Sequence, residues 1–291
     1  MRYEKALTSL ECPVDPLSTF GIFAFVFGLL VGSFLNVVIA RLPVGKSVVH
    51  PPSHCPCCGT PIRAYDNIPI LSWLALGRKC RACHTPISSI YPAVELLTGL
   101  LAWLLYRTIF IDISTLSVPF LMAFLMYFAL IAMLVAQSFI DIRYYIIPDE
   151  LSIYAVPFAI LAMALLAEVG YPMAIGWKAS VLGAFFGGGV LLAVAALWWL
   201  LRRQAGMGMG DVKLLALIGA FCGVWPALPF IILVASLSAS LIGVPISLSK
   251  GGLRYALPFG PFLAFAAIVW LLRGPVLVER WLPGWELIVF P

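Results

Sequence analysis

Long apolar runs alternate with short polar segments along most of this chain. A run of about 20 apolar residues is long enough for a helix to cross a bilayer. Runs of roughly this length lie at about 20–40, 91–110, 118–139, 150–168, 179–201, 227–247 and 257–272. A shorter apolar segment at 211–224 follows a glycine-rich stretch. With this segment counted as a crossing, the pattern predicts an all-α polytopic membrane protein with about eight transmembrane helices.

Composition supports a membrane protein and makes a soluble domain untenable. The 291 residues are 63% hydrophobic and 11% charged, whereas a soluble domain carries about 25% charged residues. The first apolar run begins near Phe20 without a short basic segment before it or a small-residue cleavage site after it. We therefore expect a retained span and not a removed signal peptide.

The distribution of basic residues predicts the orientation of the spans. If the N-terminus lies outside, the inner loops carry most of the 18 Lys and Arg residues, as cytoplasmic loops do. These inner loops are 41–90, 140–149, 202–213 and 248–256. Without the short crossing, Lys250 and Arg254 would lie outside, so the charge bias favours eight spans. The net charge of +5 then requires no nucleic-acid partner.

The polar loop 41–90 contains two C-x2-C motifs. Cys55 and Cys58 form the first, Cys80 and Cys83 the second, and 21 residues separate them. Four thiolates can hold a tetrahedral zinc ion and leave no open position for a substrate. A loop with few apolar core positions needs such a staple, and a cytoplasmic location disfavours disulfides. We expect a structural zinc ion, with a disulfide or free thiols as the alternatives.

Other residues near these motifs leave the choice of ligands open. Cys57 makes the first motif CPCC and could replace one of its neighbours as a ligand. His54 and His84 are possible ligands, although solvated loop histidines are the simpler interpretation.

Two aspartates at span ends are the candidate catalytic residues. Asp141 closes one apolar run, and Asp211 follows the glycine-rich stretch. Under the predicted topology both lie at the cytoplasmic face. An acid in a span is costly unless it is used or partnered, by about 2.5–3.5 kcal/mol at the centre of the span on insertion scales. Two adjacent carboxyl groups can share one proton. The ionised group can then activate water while the protonated group polarises a peptide carbonyl, as in aspartic proteases.

The residues around Asp211 have supporting roles in this interpretation. Gly208 and Gly210 leave room for an extended substrate and, with Gly206, allow unusual backbone conformations. Asp211 could also cap the helix that follows. Lys213 could reach lipid phosphates or tune Asp211.

Two further acids have simpler explanations. Asp149 follows Pro148 and is expected to cap the next helix. Glu95 lies inside the second span, where we expect a buried hydrogen bond, with a role in a second activity as the alternative.

The motifs of this chain resemble those of the bifunctional prepilin peptidase/N-methyltransferase family, the type IV prepilin leader peptidases. The resemblance covers nearly the whole chain and rests on several motifs in order. They are VGSFLNVV at 31–38 with RLP at 41–43, both cysteine motifs with YDNIP at 65–69 and LSW at 71–73 between them, YP at 91–92 leading to ELLTG at 95–99, Asp141 before PD at 148–149, GMGD at 208–211 and LPFGP at 257–261.

This resemblance implies cleavage of the basic leader of type IV prepilins and of type II secretion pseudopilins, at the cytoplasmic face of a bacterial inner membrane. The family aspartates correspond to Asp141 and Asp211. The cysteine loop is typical of members that also methylate the new N-terminal amine with S-adenosylmethionine. A glycine-rich methyltransferase motif is missing from the sequence, so the cofactor site is implied by the resemblance alone.

The sequence divides into three predicted parts. Residues 1–40 form an outer segment and first span, 41–90 a cytoplasmic four-cysteine zinc-binding domain, and 91–291 a helical peptidase core. The expected partners are prepilins, pseudopilins and membrane lipid. The alternatives are a peptidase without methyl transfer, a transporter, whose acids would spread through the bilayer depth, and a zinc-dependent scaffold.

Overall fold

The computed structural model describes residues 19–110, 117–203, 208–249 and 257–281. Eight helices form a bundle, and together they account for most of these residues. They are α1 (Thr19–Arg41), α2 (Ile90–Ile109), α3 (Val118–Tyr144), α4 (Val156–Glu168), α5 (Gly176–Arg202), α6 (Met209–Cys222), α7 (Ala227–Ser249) and α8 (Gly260–Trp281). Gly206, Lys250 and Arg254, on which parts of the prediction rested, lie outside the described residues.

Six segments of this bundle are long and apolar enough to cross a membrane. They comprise α1, α3, α5, α7, α8 and the stretch Asp149–Glu168, in which two 3-10 turns lead into α4. The remaining two helices are α2, which carries Glu95 and Arg107, and α6, which has only 14 residues. The predicted all-helical, multi-pass membrane fold is confirmed, with about eight spans if α2 and α6 are counted.

Small residues bring the helices of two pairs into close contact. In the α1–α2 pair, a Cβ added at Gly28 would lie 2.7 Å from Gly99 Cα. In the α5–α6 pair, Gly183 and Gly219 face each other, and a Cβ on either would collide with the carbonyl of the other. Such glycine contacts are a usual means of packing helices in lipid, where the hydrophobic effect between helices is weak.

The short helix α6 is the most enclosed element of the bundle. Every residue from Asp211 to Cys222 except Lys213 is buried, and α4, α5, α7 and α8 all contact it. Large apolar side chains on the outer helices are instead exposed, for example Phe158, Phe185 and Leu241. These exposed side chains form the surface that lipid would cover.

The polar loop between α1 and α2 is built from two similar turns. Cys55 N–H donates to Thr60 O, and Cys80 N–H donates to Thr85 O, both at 2.9 Å. A 3-10 turn (Ala64–Asn67) and a five-residue helix (Leu71–Ala75) join the two turns. The bidentate ion pair between Arg81 and Asp66, with its shortest N–O distance at 2.6 Å, links the second turn to this connection.

Helix ends differ from the predicted bounds in several places. Helix α3 extends to Tyr144, so that Asp141 lies inside its last turn. Helix α6 begins at Met209 with Gly208 as its N-cap and no side-chain cap. The expectation that Asp211 caps this helix is therefore wrong, because Asp211 lies in the first turn.

Candidate active site and metal centre

Asp141 and Asp211 lie together at one end of the bundle. Asp141 is 6% exposed near the C-terminus of α3, and Asp211 is 9% exposed near the N-terminus of α6. Their carboxyl groups are close enough for their charges to interact. Two helices that run in opposite directions thus bring acids 70 positions apart in the sequence to the same depth.

The first residue of α8 completes the surroundings of Asp141. The backbone N–H of Gly260 donates to Asp141 Oδ2 at 3.1 Å. A Cβ at position 260 would lie 2.6 Å from the same oxygen, so only glycine allows this approach without displacing the carboxyl group. Gly260 lies in the LPFGP motif at 257–261, and the sequence alone assigns it no role. A glycine followed by proline at a helix start was the available signal.

Ile147 separates the starts of α6 and α8. A Cβ at Gly210 would lie 3.0 Å from Ile147 Cβ, and a Cβ at Gly260 would lie 3.1 Å from Ile147 Cδ1. Gly210 is therefore packed tightly against Ile147, which would have to shift by a few tenths of an ångström to admit a side chain. By contrast, a Cβ at Gly208 meets no heavy atom closer than 4.0 Å, and this position has the extended backbone of an N-cap.

Lys213 forms an ion pair that the sequence analysis did not identify. Its Nζ lies 2.5 Å from Asp149 Oδ1. Asp149 makes no helix-capping hydrogen bond, and Pro148 occupies the N-cap position of the 3-10 turn. The prediction that Asp149 caps a helix is wrong, and Lys213, expected to reach lipid or to tune Asp211, pairs with Asp149. The pair instead ties the segment after α3 to the helix that carries Asp211.

Gln137 binds the segment after α3 that carries Asp149. Gln137 lies on α3, one helical turn before Asp141. Its Nε2 donates to Leu151 O at 2.7 Å. Its Oε1 is buried and has no partner among the described residues. The loop that carries Asp149 is thus anchored both to α3 and to α6.

The four predicted cysteines gather at one point of the loop. The Sγ atoms of Cys55, Cys58, Cys80 and Cys83 all lie within 4.8 Å of one another, and those of Cys55 and Cys83 are 3.8 Å apart. Tetrahedral zinc with Zn–S bonds of about 2.3 Å places its sulfur atoms roughly 3.8 Å apart. The cluster has the donor set and the spacing to hold a metal ion.

Hydroxyl groups beside two of these cysteines favour thiolates. Thr85 Oγ1 lies 3.2 Å from Cys83 Sγ, and the side-chain and backbone hydrogen bonds of Thr85 are the main causes that lower the pKa of Cys83 to about 6. Thr60 lowers the pKa of Cys58 in the same way. Metals bind the thiolate, which these hydroxyls favour at Cys58 and Cys83. Backbone hydrogen bonds lower the pKa of Cys55 as well, but burial and side-chain hydrogen bonds with Cys80 and Cys58 outweigh them and raise that pKa to about 11.

The remaining candidates near the cluster do not join it. Cys57 is exposed and lies outside the group of four. His54 and His84 are also outside that group, and His54 Nδ1 lies 3.1 Å from Pro52 O.

Comparisons with known proteins match two family models to the chain. Residues 26–109 match the Bacterial Peptidase A24 N-terminal domain, and residues 128–244 match the Type IV leader peptidase family. No solved structure is significantly similar to the chain.

Several relatives are named prepilin leader peptidase/N-methyltransferase. The protein of Myxococcus xanthus is 39% identical over 80% of this chain and 64% of its own length. The protein of Aeromonas hydrophila is 37% identical over 88% of this chain and 91% of its own length. The protein of Stutzerimonas stutzeri is 36% identical over 92% of this chain and 95% of its own length. The chain belongs to the type IV leader peptidase family.

Proposed function

We propose that this chain cleaves the leader peptide of type IV prepilins and type II secretion pseudopilins and then methylates the new N-terminal amine. The single observation that carries the peptidase activity is the meeting of two buried aspartates at one end of a membrane bundle. The names of the relatives support the substrate class and the second activity.

The two aspartates would divide the work of peptide hydrolysis. Asp141 accepts a hydrogen bond from Gly260 N–H, which stabilises a carboxylate. Within the described residues, Asp211 receives no such bond. We therefore assign Asp141 as the ionised group, which takes a proton from the attacking water. Asp211 is assigned as the protonated group, which donates a hydrogen bond to the scissile carbonyl.

The location of the pair suits a substrate that lies partly in the membrane. Asp141, Asp211 and Gly260 all lie at helix ends on one side of the bundle, and the excess of Lys and Arg in the neighbouring loops supports a cytoplasmic position for that side. A basic leader would stay in the cytoplasm and the apolar helix that follows it would stay in lipid. The bond between them then falls beside the carboxyl pair.

We assign zinc as the metal of the cysteine cluster, since four thiolates at tetrahedral spacing are its usual structural site. The ion would be held by Cys55, Cys58, Cys80 and Cys83 and would hold the loop together without taking part in the chemistry. Residues 41–90 would thus form a zinc-binding domain between the span of 1–40 and the peptidase core of 91–291.

S-adenosylmethionine would supply the methyl group. A cleft of about 300 Å³ lies between α1 and the cysteine loop, which is the size at which small-molecule sites begin. Its walls combine the hydroxyl and amide groups of Ser33, Ser53 and Asn67 with apolar side chains. We place the methyl transfer at this cleft.

Mass spectrometry of a prepilin incubated with the purified protein and S-adenosylmethionine tests both activities. The expected product has lost its leader and gained one methyl group. Asp141→Asn and Asp211→Asn should each reduce cleavage by about 10²–10⁴-fold, the usual contribution of a general acid or base. Glu168→Gln, an exposed acid at the end of α4, is the control and should cleave normally. Complete processing by either aspartate variant would refute the assignment.

A further inference from the structure

A third buried acid lies in the part of the bundle that the structure describes. Glu95 on α2 is 8% exposed, and besides it only Asp141 and Asp211 among the described acids are buried. Its Oε2 accepts a hydrogen bond from Ile70 N–H at 2.8 Å, and it also interacts with the Ser33 hydroxyl. The peptidase mechanism does not use this carboxylate.

The backbone around Glu95 holds its side chain in one place. Gly32 packs on it so closely that an added Cβ would lie 2.7 Å from Glu95 Cα. Its partner Ile70 has φ 61° and ψ −49°, a strained conformation for a β-branched residue. Strain of this kind is found at functional sites more often than elsewhere. The loop is thus held against α2 at Ile70, whose backbone keeps this strained conformation.

The carboxylate lies beside the cleft between α1 and the cysteine loop. Ser33, which interacts with Glu95, is one of the lining residues of that cleft, and Glu95 itself lies behind this lining. Arg41 holds the loop over α1 by donating to the carbonyls of Ser47 and Pro51 at 3.1 and 2.8 Å. On the membrane side the cleft is lined by Leu30 and Phe34, which are 56% and 51% exposed. The cleft therefore has a polar end and an edge that opens toward lipid.

We propose that Glu95 is the proton acceptor of the methyl transfer and that this cleft receives the N-terminus of the cleaved pilin. The inference rests on the proposed function, because it assumes that an N-terminal amine is methylated. The product of cleavage is an apolar helix that ends in an amine. Its apolar side matches Leu30 and Phe34, and its amine matches the carboxylate behind Ser33.

The chemistry requires such a group. An α-amine has a pKa near 7.7–8.0, so much of it is protonated at neutral pH and has no free lone pair. Once the proton has passed to the Glu95 carboxylate, the nitrogen lone pair forms the bond to the methyl carbon. The carbon–sulfur bond of the donor breaks, and its electron pair neutralises the sulfonium to a thioether. A second role for the carboxylate is to hold the amine in place.

Glu95→Gln separates this role from a structural one. The amide oxygen of glutamine still accepts hydrogen bonds from Ile70 and Ser33, so the loop should stay in place, but the amide does not accept a proton. We expect unchanged cleavage of prepilin and a loss of about 100-fold or more in methylation of a pilin supplied already cleaved. If Glu95 were only an anchor, Glu95→Gln would methylate normally. Glu168→Gln again serves as the control.

A cross-link provides a readout that does not depend on turnover. Dicyclohexylcarbodiimide, which partitions into membranes, joins a carboxylate to an adjacent amine. With cleaved pilin we expect an amide between its N-terminus and Glu95, found by peptide mass spectrometry and lost in Glu95→Gln or with N-acetylated pilin. Cross-linking only to other acids, or no cross-link, overturns the inference. A wild-type protein that neither cleaves nor methylates overturns the proposed function instead.

Discussion

The backbone N–H of Gly260 donates to Asp141 Oδ2 across 119 residues of sequence. Through this bond the start of the last bundle helix, α8, touches a carboxyl group near the end of α3. The contact gives the first prediction, because it depends on the missing side chain of residue 260.

Gly260→Ala should reduce cleavage of prepilin by about 100-fold, since displacing a reacting group by about 1 Å has an effect of that size. The added Cβ would lie 2.6 Å from Asp141 Oδ2, and the carboxyl group must rotate away. Initial cleavage rates measure the effect. The matched control is Gly189→Ala in α5, where an added Cβ meets nothing within 4 Å. Equal rates for both variants would contradict the role of Gly260.

Lys213 and Asp149 should be coupled energetically. The pair is partly exposed, so we expect Lys213→Met to lower the free energy of unfolding by at most about 1 kcal/mol. Lys213→Asp and Asp149→Lys should each lower the free energy of unfolding. In the double variant the two charges are exchanged, and part of the summed loss should be recovered in a double-mutant cycle. Thermal unfolding and cleavage rates are the measurements, with Lys178→Met as the control. Additive effects of the two single changes would show that the pair contributes nothing.

The cysteine cluster should bind about one zinc ion per chain, as expected for four thiolates. Elemental analysis of the purified protein should show that Cys58→Ser reduces this content strongly, because Cys58 lies in the group of four. Cys57→Ser is the matched control, since the thiol of Cys57 is exposed, adjacent to Cys58 in the sequence and outside that group. A loss of zinc from Cys57→Ser with retention in Cys58→Ser would reverse the ligand assignment.

The ion pair between Asp66 and Arg81 should make loop stability depend on pH. The hydrogen bond from Arg81 holds the pKa of Asp66 below its usual value. Stabilisation by a carboxyl group with a lowered pKa is complete above the unfolded value of about 4, and is lost as the pH falls through the lower folded value. The melting temperature of the wild-type protein should therefore exceed that of Asp66→Asn at pH 7. This difference in melting temperature should disappear as the pH falls below about 4. A gap that is unchanged at pH 3 would contradict this.

The membrane fold followed from the sequence because the bilayer imposes a simple length rule. Each apolar run of about 20 residues corresponds to a helix or to a 3-10 turn followed by one. The cysteine cluster was also readable, since each C-x2-C motif brings its two thiols together locally. Helix ends were less predictable: α3 continues to Tyr144 beyond the apolar run, because a helix end depends on its cap and on its neighbours.

Contacts between distant segments account for what the sequence analysis missed. Lys213 and Asp149 are 64 residues apart, and each alone had a plausible local role, as a lipid contact or as a helix cap. Gly260 similarly had only a motif around it and no visible partner. Asp141 and Asp211 were identifiable because acids are rare at span ends, although their proximity depends on how α3 and α6 pack.

Because α6 is enclosed by other helices, we expect the depth of Asp211 in the membrane not to depend on the thickness of the surrounding bilayer. Fourteen residues span about 21 Å as a helix, well short of a hydrocarbon core of about 30 Å. A helix this short in direct contact with acyl chains would suffer hydrophobic mismatch and thin the bilayer around it. Because four neighbouring helices surround it, we expect the protein itself to set the depth of its first turn, with the same depth in short-chain and long-chain phospholipids.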